Sequence, residues 1–289
     1  MDVSTRELFF KTPIKFARYR NGNKITYGLV ERGRIREIKG SPFMTYRETG
    51  LVHNLSDVTL QIPCEPTNVL TIGQSYPSRI QNMPIGSDTF FKAPLSKTPD
   101  SLLEHEGTSH LPSDSEDVHY EGEIVVVTGK QAENVAPEGA HEYILGVTGG
   151  NDITARDWQT DALRMKDAKA CDTIGPFGRY IATGIIYGAL LLKTRLNGKV
   201  MQEEQSRNLI LDIPTLVSFA SLKGRFRING LRVFQAGIVG KGLNPGDRTA
   251  GTRVASVGAD IQGNVYFTID TTANEVRLSH RPQFSEKRR

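Results

Sequence analysis

Four consecutive β-branched residues, Ile124-Val125-Val126-Val127, allow few folds for the stretch that holds them. Branching at Cβ stiffens χ1 and suits a pleated sheet better than a helix, so this run predicts a strand. Directly ahead of it stand Glu121-Gly122-Glu123. Side chains alternate along a strand, so Glu121 and Glu123 share a face. Two carboxylates so placed repel each other unless something positive lies between them. A hard divalent cation bound through oxygen is one solution, and a third carboxylate elsewhere strengthens it.

Asp152 is in the right place to be that third carboxylate. Tyr143-Ile144-Leu145-Gly146-Val147-Thr148 reads as another strand, running through Gly149-Gly150-Asn151 to Asp152, with a helical turn expected from Thr154 to Trp158. Asp157 is explained as a first-turn acid favoured by the helix macrodipole and receives no ligand role.

The remainder reads as a mostly β chain in two parts. From Ile14 to about Ile38, short apolar runs are broken by Asn21-Gly22 and Arg32-Gly33, pairs that supply the positive φ angles of tight hairpins. A small N-terminal β domain is therefore expected over residues 1–62, a catalytic domain over 63–280, and a basic tail over 281–289. Asn68 to Gly73 forms a short buried strand. Ser96 to Ser115, rich in Ser, Pro, Asp, Glu and His, reads as a long surface loop of the kind that closes over binding sites. Asn197-Gly198 makes a further hairpin, and Asp212 caps a helix through Leu216, Val217 and Phe219 with Pro214 in its first turn. The last seventy or so residues are glycine-punctuated β runs.

With 289 residues, 38% of them hydrophobic, the chain is long enough for a substantial core. The net charge of +4 is spread out, and neither Arg32–Arg36 nor Lys287–Arg289 is interleaved with stacking aromatics, so nucleic acid is not an expected partner. Two cysteines imply no disulfide framework. The start lacks the order of a signal peptide, and Ile181 to Leu192 is too short to span a bilayer, so a cytoplasmic protein without membrane association is expected.

Three ordered motifs, Tyr120–Lys130, Gly150–Asp157 and Ala168–Gly178, with support from Phe90-Phe91-Lys92-Ala93-Pro94 and from Asn197 to Pro214, resemble the fumarylacetoacetate hydrolase family. The resemblance implies an α+β, mostly β fold: a mixed β-roll catalytic domain behind the small N-terminal β module, in a homodimer. It also implies Mg²⁺ or Mn²⁺ held by Glu121, Glu123 and Asp152, and a 2-oxo or β-diketo acid as the small-molecule substrate. Lys169 matches the family's active-site lysine. Arg79, Tyr76, Lys92 and Thr173 are the candidate substrate contacts.

Where the family carries Gly-x-Asn-Tyr-x-x-His-x-x-Glu, this chain has Gly73-Gln74-Ser75-Tyr76-Pro77-Ser78-Arg79-Ile80-Gln81-Asn82. Arg79 and Asn82 replace a His and Glu that activate water, and an arginine stays protonated at neutral pH. Near the C-terminus, the family's Pro-Gly-Asp then Thr-Gly-Thr-Pro corresponds either to Asn244–Arg253, which lacks the final proline, or to the place filled by Phe234–Gly237, and no site residue is assigned there. Hydrolysis of a carbon–carbon bond in an acylpyruvate-type substrate is the default expectation, with His105 or His110 as replacement base. Decarboxylation or keto–enol isomerisation of a 2-oxo acid, which needs no activated water, is the alternative. A catalytically weak dicarboxylate binder using Arg79 is the third.

Overall fold

The chain is mostly β, and among the described residues its α-helix is Ile213–Ser221. The computed structural model describes residues 13–73, 75–77, 95–105, 107–112, 114–161, 163–196, 199–222, 232–237, 252–259 and 265–271. The tail 281–289 lies outside them. The strands of the N-terminal part are β1 (Ile14–Asn21), β2 (Lys24–Glu31), β3 (Arg34–Gly40), β4 (Tyr46–Asn54) and β5 (Thr59–Leu60). Then come β6 (Asn68–Ile72), β7 (Leu95–Lys97), β8 (Leu102–Leu103), β9 (Val118–His119), β10 (Gly122–Thr128), β11 (Ile144–Asn151) and β12 (Thr154–Ala155). The last are β13 (Gly175–Pro176), β14 (Ile181–Thr183), β15 (Leu190–Leu196), β16 (Lys199–Gln205), β17 (Arg232–Gly237), β18 (Thr252–Ala259) and β19 (Val265–Thr271).

The principal sheet runs β4-β3-β2-β1-β14-β11-β10-β17-β6-β7, with β5 beside β1. β1 pairs antiparallel with β14, Phe16 opposite Ile181, so the N-terminal meander extends the sheet of the second part. The sheet is mixed, because β10 is antiparallel to both β11 and β17 whereas β17 runs parallel to β6. A four-stranded sheet, β16-β15-β19-β18, is the second layer.

Both predicted N-terminal turns form, with one shift. Asn21 pairs with Lys24, so the first turn is centred on Gly22-Asn23, and Gly22 alone takes a positive φ of +59°. One positive φ at the first central position is the II′ geometry. At the second turn Arg32 (+48°) and Gly33 (+78°) are both left-handed, which is type I′ and strains the arginine.

β10 lies in the middle of the fold with both faces covered. Ile124 and Val126 pack with Val147, Leu190 and Leu192 and with Ile213, Val217 and Ala220 of the helix. Val125 and Val127 pack on the other face with Cys64, Val69 and Ile181. At about 1.5–3 kcal/mol per fully buried aliphatic side chain, these four residues pin β10 in register. The helix starts as predicted: the Asp212 carboxylate accepts from the Thr215 N–H at 2.9 Å, and Pro214 occupies the first turn.

Gly146 in β11 marks a close backbone contact between strands near this core. A Cβ there would stand 2.3 Å from the Ala182 carbonyl oxygen of β14. Backbone cannot yield as a flexible side chain can, so Gly146→Ala is expected to destabilise the protein by about 1–3 kcal/mol, seen as a lower midpoint in thermal unfolding.

Two expectations are corrected. Thr154-Ala155 does not begin a helical turn: it pairs as β12 with β9, and a 3₁₀ turn starts at Asp157. Asp157 is the acid of that turn's start, as expected, and also accepts hydrogen bonds from the Ser115 hydroxyl at 2.6 Å and the Glu116 N–H at 3.1 Å. Nor is Ser96 to Ser115 a loose lid. It contributes β7 and β8, buries Lys97, Ser101, His105, Ser109 and Ser115, and its His110 N–H reaches the Thr173 hydroxyl at 2.8 Å. Lys97, Ser115 and the His110 N–H bond residues far along the chain, contacts that composition alone does not disclose.

Candidate metal centre

The three carboxylates of the sequence analysis meet at one end of the β10–β11 pair. Antiparallel pairing sets Gly122 opposite Asn151 and Glu123 opposite Gly150. Glu121 precedes β10: its N–H donates to the Asn151 side-chain oxygen and its carbonyl accepts from the Asp152 N–H, each at 2.8 Å. That exchange carries the ladder one residue beyond the strands and brings Asp152 beside the glutamates, thirty residues away in sequence. One ligand oxygen each from Glu121, Glu123 and Asp152 lies within 4.8 Å of the others, and all three residues are buried. From the second sheet, the Gln202 side-chain oxygen accepts from the Gly122 N–H at 3.1 Å.

Among the described residues three cations contact them. Lys169, buried on a 3₁₀ turn, donates from Nζ to Glu121 Oε2 at 2.6 Å and also to Asp152 Oδ2. Lys97 on β7 donates to Asp152 Oδ1 at 2.8 Å. Arg156 pairs through Nη2 with Glu121 Oε1, while its Nη1 reaches Gln159 Oε1 at 2.9 Å. The sequence reading singled out neither Lys97 nor Arg156. Arg156 lies within the Gly150–Asp157 motif, which is a usable signal, whereas Lys97 sits among Ser, Thr and Pro and carries none.

Charge coupling divides the acids. Burial would raise the Asp152 pKa, but the ammoniums of Lys169 and Lys97 outweigh it and hold the carboxyl at about 2. For Glu123, burial and the charges of Asp152 and Glu121 act together and push the pKa well above the usual carboxylate range. Burial alone would lower the Lys169 pKa, yet Asp152, Glu121 and Glu123 reverse this and raise it, so its ammonium is a persistent cation.

The donor set fits a hard divalent cation. It is all oxygen, it gathers three acids in one buried place, and Glu123 Oε2 is buried without a hydrogen-bond partner among the described residues. A buried carboxylate oxygen left without a donor is costly unless a cation occupies its lone pairs.

The other candidate residues are placed as follows. Tyr76 is fully buried, its hydroxyl has no hydrogen-bond partner among the described residues, and burial with the charges of Glu204 and Glu123 pushes its pKa up. Thr173 is half-buried and holds a left-handed φ of +66°, an uncommon state for a β-branched residue, with its hydroxyl accepting from His110 N–H. His105 is buried and His110 exposed. Arg79 and Lys92 lie outside the described residues, as does Pro245–Gly251; Phe234–Gly237 is in β17, with Gly237 opposite Glu123.

Comparison with known proteins gives a consistent picture. Residues 68–248 match the family model described as fumarylacetoacetate (FAA) hydrolase C-terminal, and residues 14–63 match one described as Rv2993c-like, N-terminal. An uncharacterized protein of Archaeoglobus fulgidus is 37% identical over 169 residues, 58% of this chain and just under two thirds (66%) of the relative's length. Oxaloacetate tautomerase YisK of Bacillus subtilis is 31% identical over 211 residues, 67% of each protein. Among solved structures, 5-carboxymethyl-2-hydroxymuconate delta-isomerase from Mycobacterium smegmatis aligns with a TM-score of 0.73 at 25% identity, over 91% of this chain and 99% of that one. Among the described residues no helix is long and apolar enough to cross a membrane.

Proposed function

This chain belongs to the fumarylacetoacetate hydrolase family, an enzyme family, and from that premise we propose that it moves a proton between carbon and oxygen of a 2-oxo acid, as a keto–enol tautomerase or isomerase. Carbon–carbon hydrolysis, the default implied by the sequence resemblance, stands second. The observation that carries this reading is Lys169: a buried ammonium held against Glu121 and Asp152 and kept protonated by them. A group that stays charged stabilises a developing enolate oxygen through its positive charge and N–H donors, but it does not generate a nucleophile from water.

Glu121, Glu123 and Asp152 would hold Mg²⁺ or Mn²⁺. Such a cation supplies Lewis-acid polarisation of the ketone and two positive charges to match the dianion of an enolised 2-oxo acid. Among the described residues, Lys97, Lys169 and Arg156 pair with Asp152 and Glu121. Arg79 replaces the water-activating His of the resemblance with a fixed cation and Asn82 replaces the Glu, which supports proton transfer over hydrolysis; Arg79 then suits the distal carboxylate of a dicarboxylic substrate. Tyr76, Lys92 and Thr173 remain the further substrate contacts of this reading. The name of the Bacillus relative, oxaloacetate tautomerase, points the same way. A homodimer in the cytoplasm belongs to the same proposal.

The test is an assay with Mn²⁺ and a panel of oxaloacetate, 2-hydroxydienoates and acylpyruvates, following enol absorbance and products together. The expected result is accelerated change of enol absorbance with the carbon skeleton intact. Acid plus pyruvate would return the assignment to hydrolysis, CO₂ to decarboxylation. Metal-dependent binding without turnover would leave a dicarboxylate-binding protein.

A further inference from the structure

Lys97 makes contacts that the proposed chemistry does not use. Its side chain is wholly buried at the end of β7, and its ammonium faces three acceptors: Asp152 Oδ1 at 2.8 Å, the Lys169 carbonyl at 2.8 Å and the Ile153 carbonyl at 3.5 Å. A lysine has three N–H donors, and each is directed at a different residue. The acceptors belong to two separate stretches of chain, the residues leaving β11 and the 3₁₀ turn that presents Lys169, and Lys97 joins both to the strand that carries it. Asp152 is therefore gripped on both oxygens, Oδ1 by Lys97 and Oδ2 by Lys169. The stem of Lys97 lies against a glycine, Gly175, where an added Cβ would come 2.8 Å from Lys97 Cε and 3.0 Å from the Ser101 carbonyl oxygen. Space, charge and all three donors are thus committed to one position.

We propose that Lys97 is a positioning residue: one buried ammonium fixes the rotation of the Asp152 carboxylate and the place of the Lys169 backbone, coupling the metal ligand to the active-site lysine. This rests on the metal-site reading above. Outer-sphere partners of this kind orient a ligand before the ion arrives. As a bare charge, Lys97 would oppose a second cation nearby; as a tether, it would favour binding by removing the freedom of Asp152. The two roles predict opposite signs.

The experiment is a Mn²⁺ titration of the metal-free full-length protein, followed by Mn²⁺ electron paramagnetic resonance, on wild type, Lys97→Met and Gly175→Ala, with thermal midpoints for each. The wild type is the control: absence of binding there sinks the metal-site reading itself and, with it, this inference. With wild-type binding established, Lys97→Met is expected to weaken Mn²⁺ roughly 10- to 100-fold. At saturating Mn²⁺ its kcat should fall while KM for the oxo acid stays within about twofold, because Lys97 does not touch substrate. Unchanged or tighter Mn²⁺ binding in a folded Lys97→Met overturns the proposal. Should Lys97→Met not fold, Gly175→Ala decides: it keeps the charge but displaces the ammonium, so weakened binding supports the tether and wild-type affinity overturns it.

Discussion

Lys169→Met is expected to lower turnover of a 2-oxo acid by about 10²- to 10⁴-fold while leaving Mn²⁺ binding intact. Methionine keeps an unbranched stem of similar reach and removes only the ammonium. The fold should survive, because neither carboxylate is stranded: Glu121 keeps Arg156, and Asp152 keeps Lys97. Removing a cation that contacts two prospective metal ligands relieves repulsion of an incoming ion, so affinity for Mn²⁺ should hold or rise. What is lost is the positive group, with its N–H donors, beside the enolate oxygen. Steady-state kinetics and a Mn²⁺ titration on the same preparation separate the two effects. Turnover within a few-fold of wild type would remove Lys169 from the chemistry, whereas loss of Mn²⁺ binding would mean its role is structural.

The parts of this site that were legible in the sequence are those fixed by local geometry. Alternation along a strand was enough to put Glu121 and Glu123 on one face, and the end of the next strand was enough to single out Asp152. Antiparallel pairing of β10 with β11 then brought the three together, a step that needs only two neighbouring strands. The Asp212 helix cap and the positive φ at Gly22 and Gly33 are local in the same way. Features decided by long-range packing were not legible. Lys97 lies in a segment whose composition looks solvated, yet its side chain is buried because its ammonium is answered by residues fifty or more positions away. Thr154-Ala155 has no strong preference of its own and becomes a strand because Val118-His119 is there to pair with it.

The opposing signs at Glu123 give the sharpest separation between holding a metal and holding the fold. Glu123→Gln is expected to weaken Mn²⁺ by more than the roughly 10- to 100-fold typical of an outer-sphere partner, while raising the thermal midpoint of the metal-free protein. Among the described residues Glu123 is the acid of the three without a hydrogen-bonded cation, and burial with the charges of Asp152 and Glu121 has raised its pKa. A carboxyl whose folded pKa is raised supports folding only while it is protonated. Its contribution is full below the unfolded value and declines as pH rises from there to the folded one, so the metal-free fold is less stable above that window than below it. Asp152 has the opposite sign: held at about 2, it contributes above its unfolded value and loses that contribution only as pH falls from near 4 toward 2. In glutamine the volume is kept and the charge is gone. Metal-free Glu123→Gln should therefore lose the decline in stability that wild type shows as pH rises above the carboxylate range. The rise in midpoint that Mn²⁺ confers on wild type by mass action should disappear with it. Differential scanning fluorimetry across pH, with and without Mn²⁺, reads both. A metal-free midpoint below wild type would mean that Glu123 stabilises the fold as an ordinary buried polar group, and an undiminished Mn²⁺ shift would remove it from the metal site.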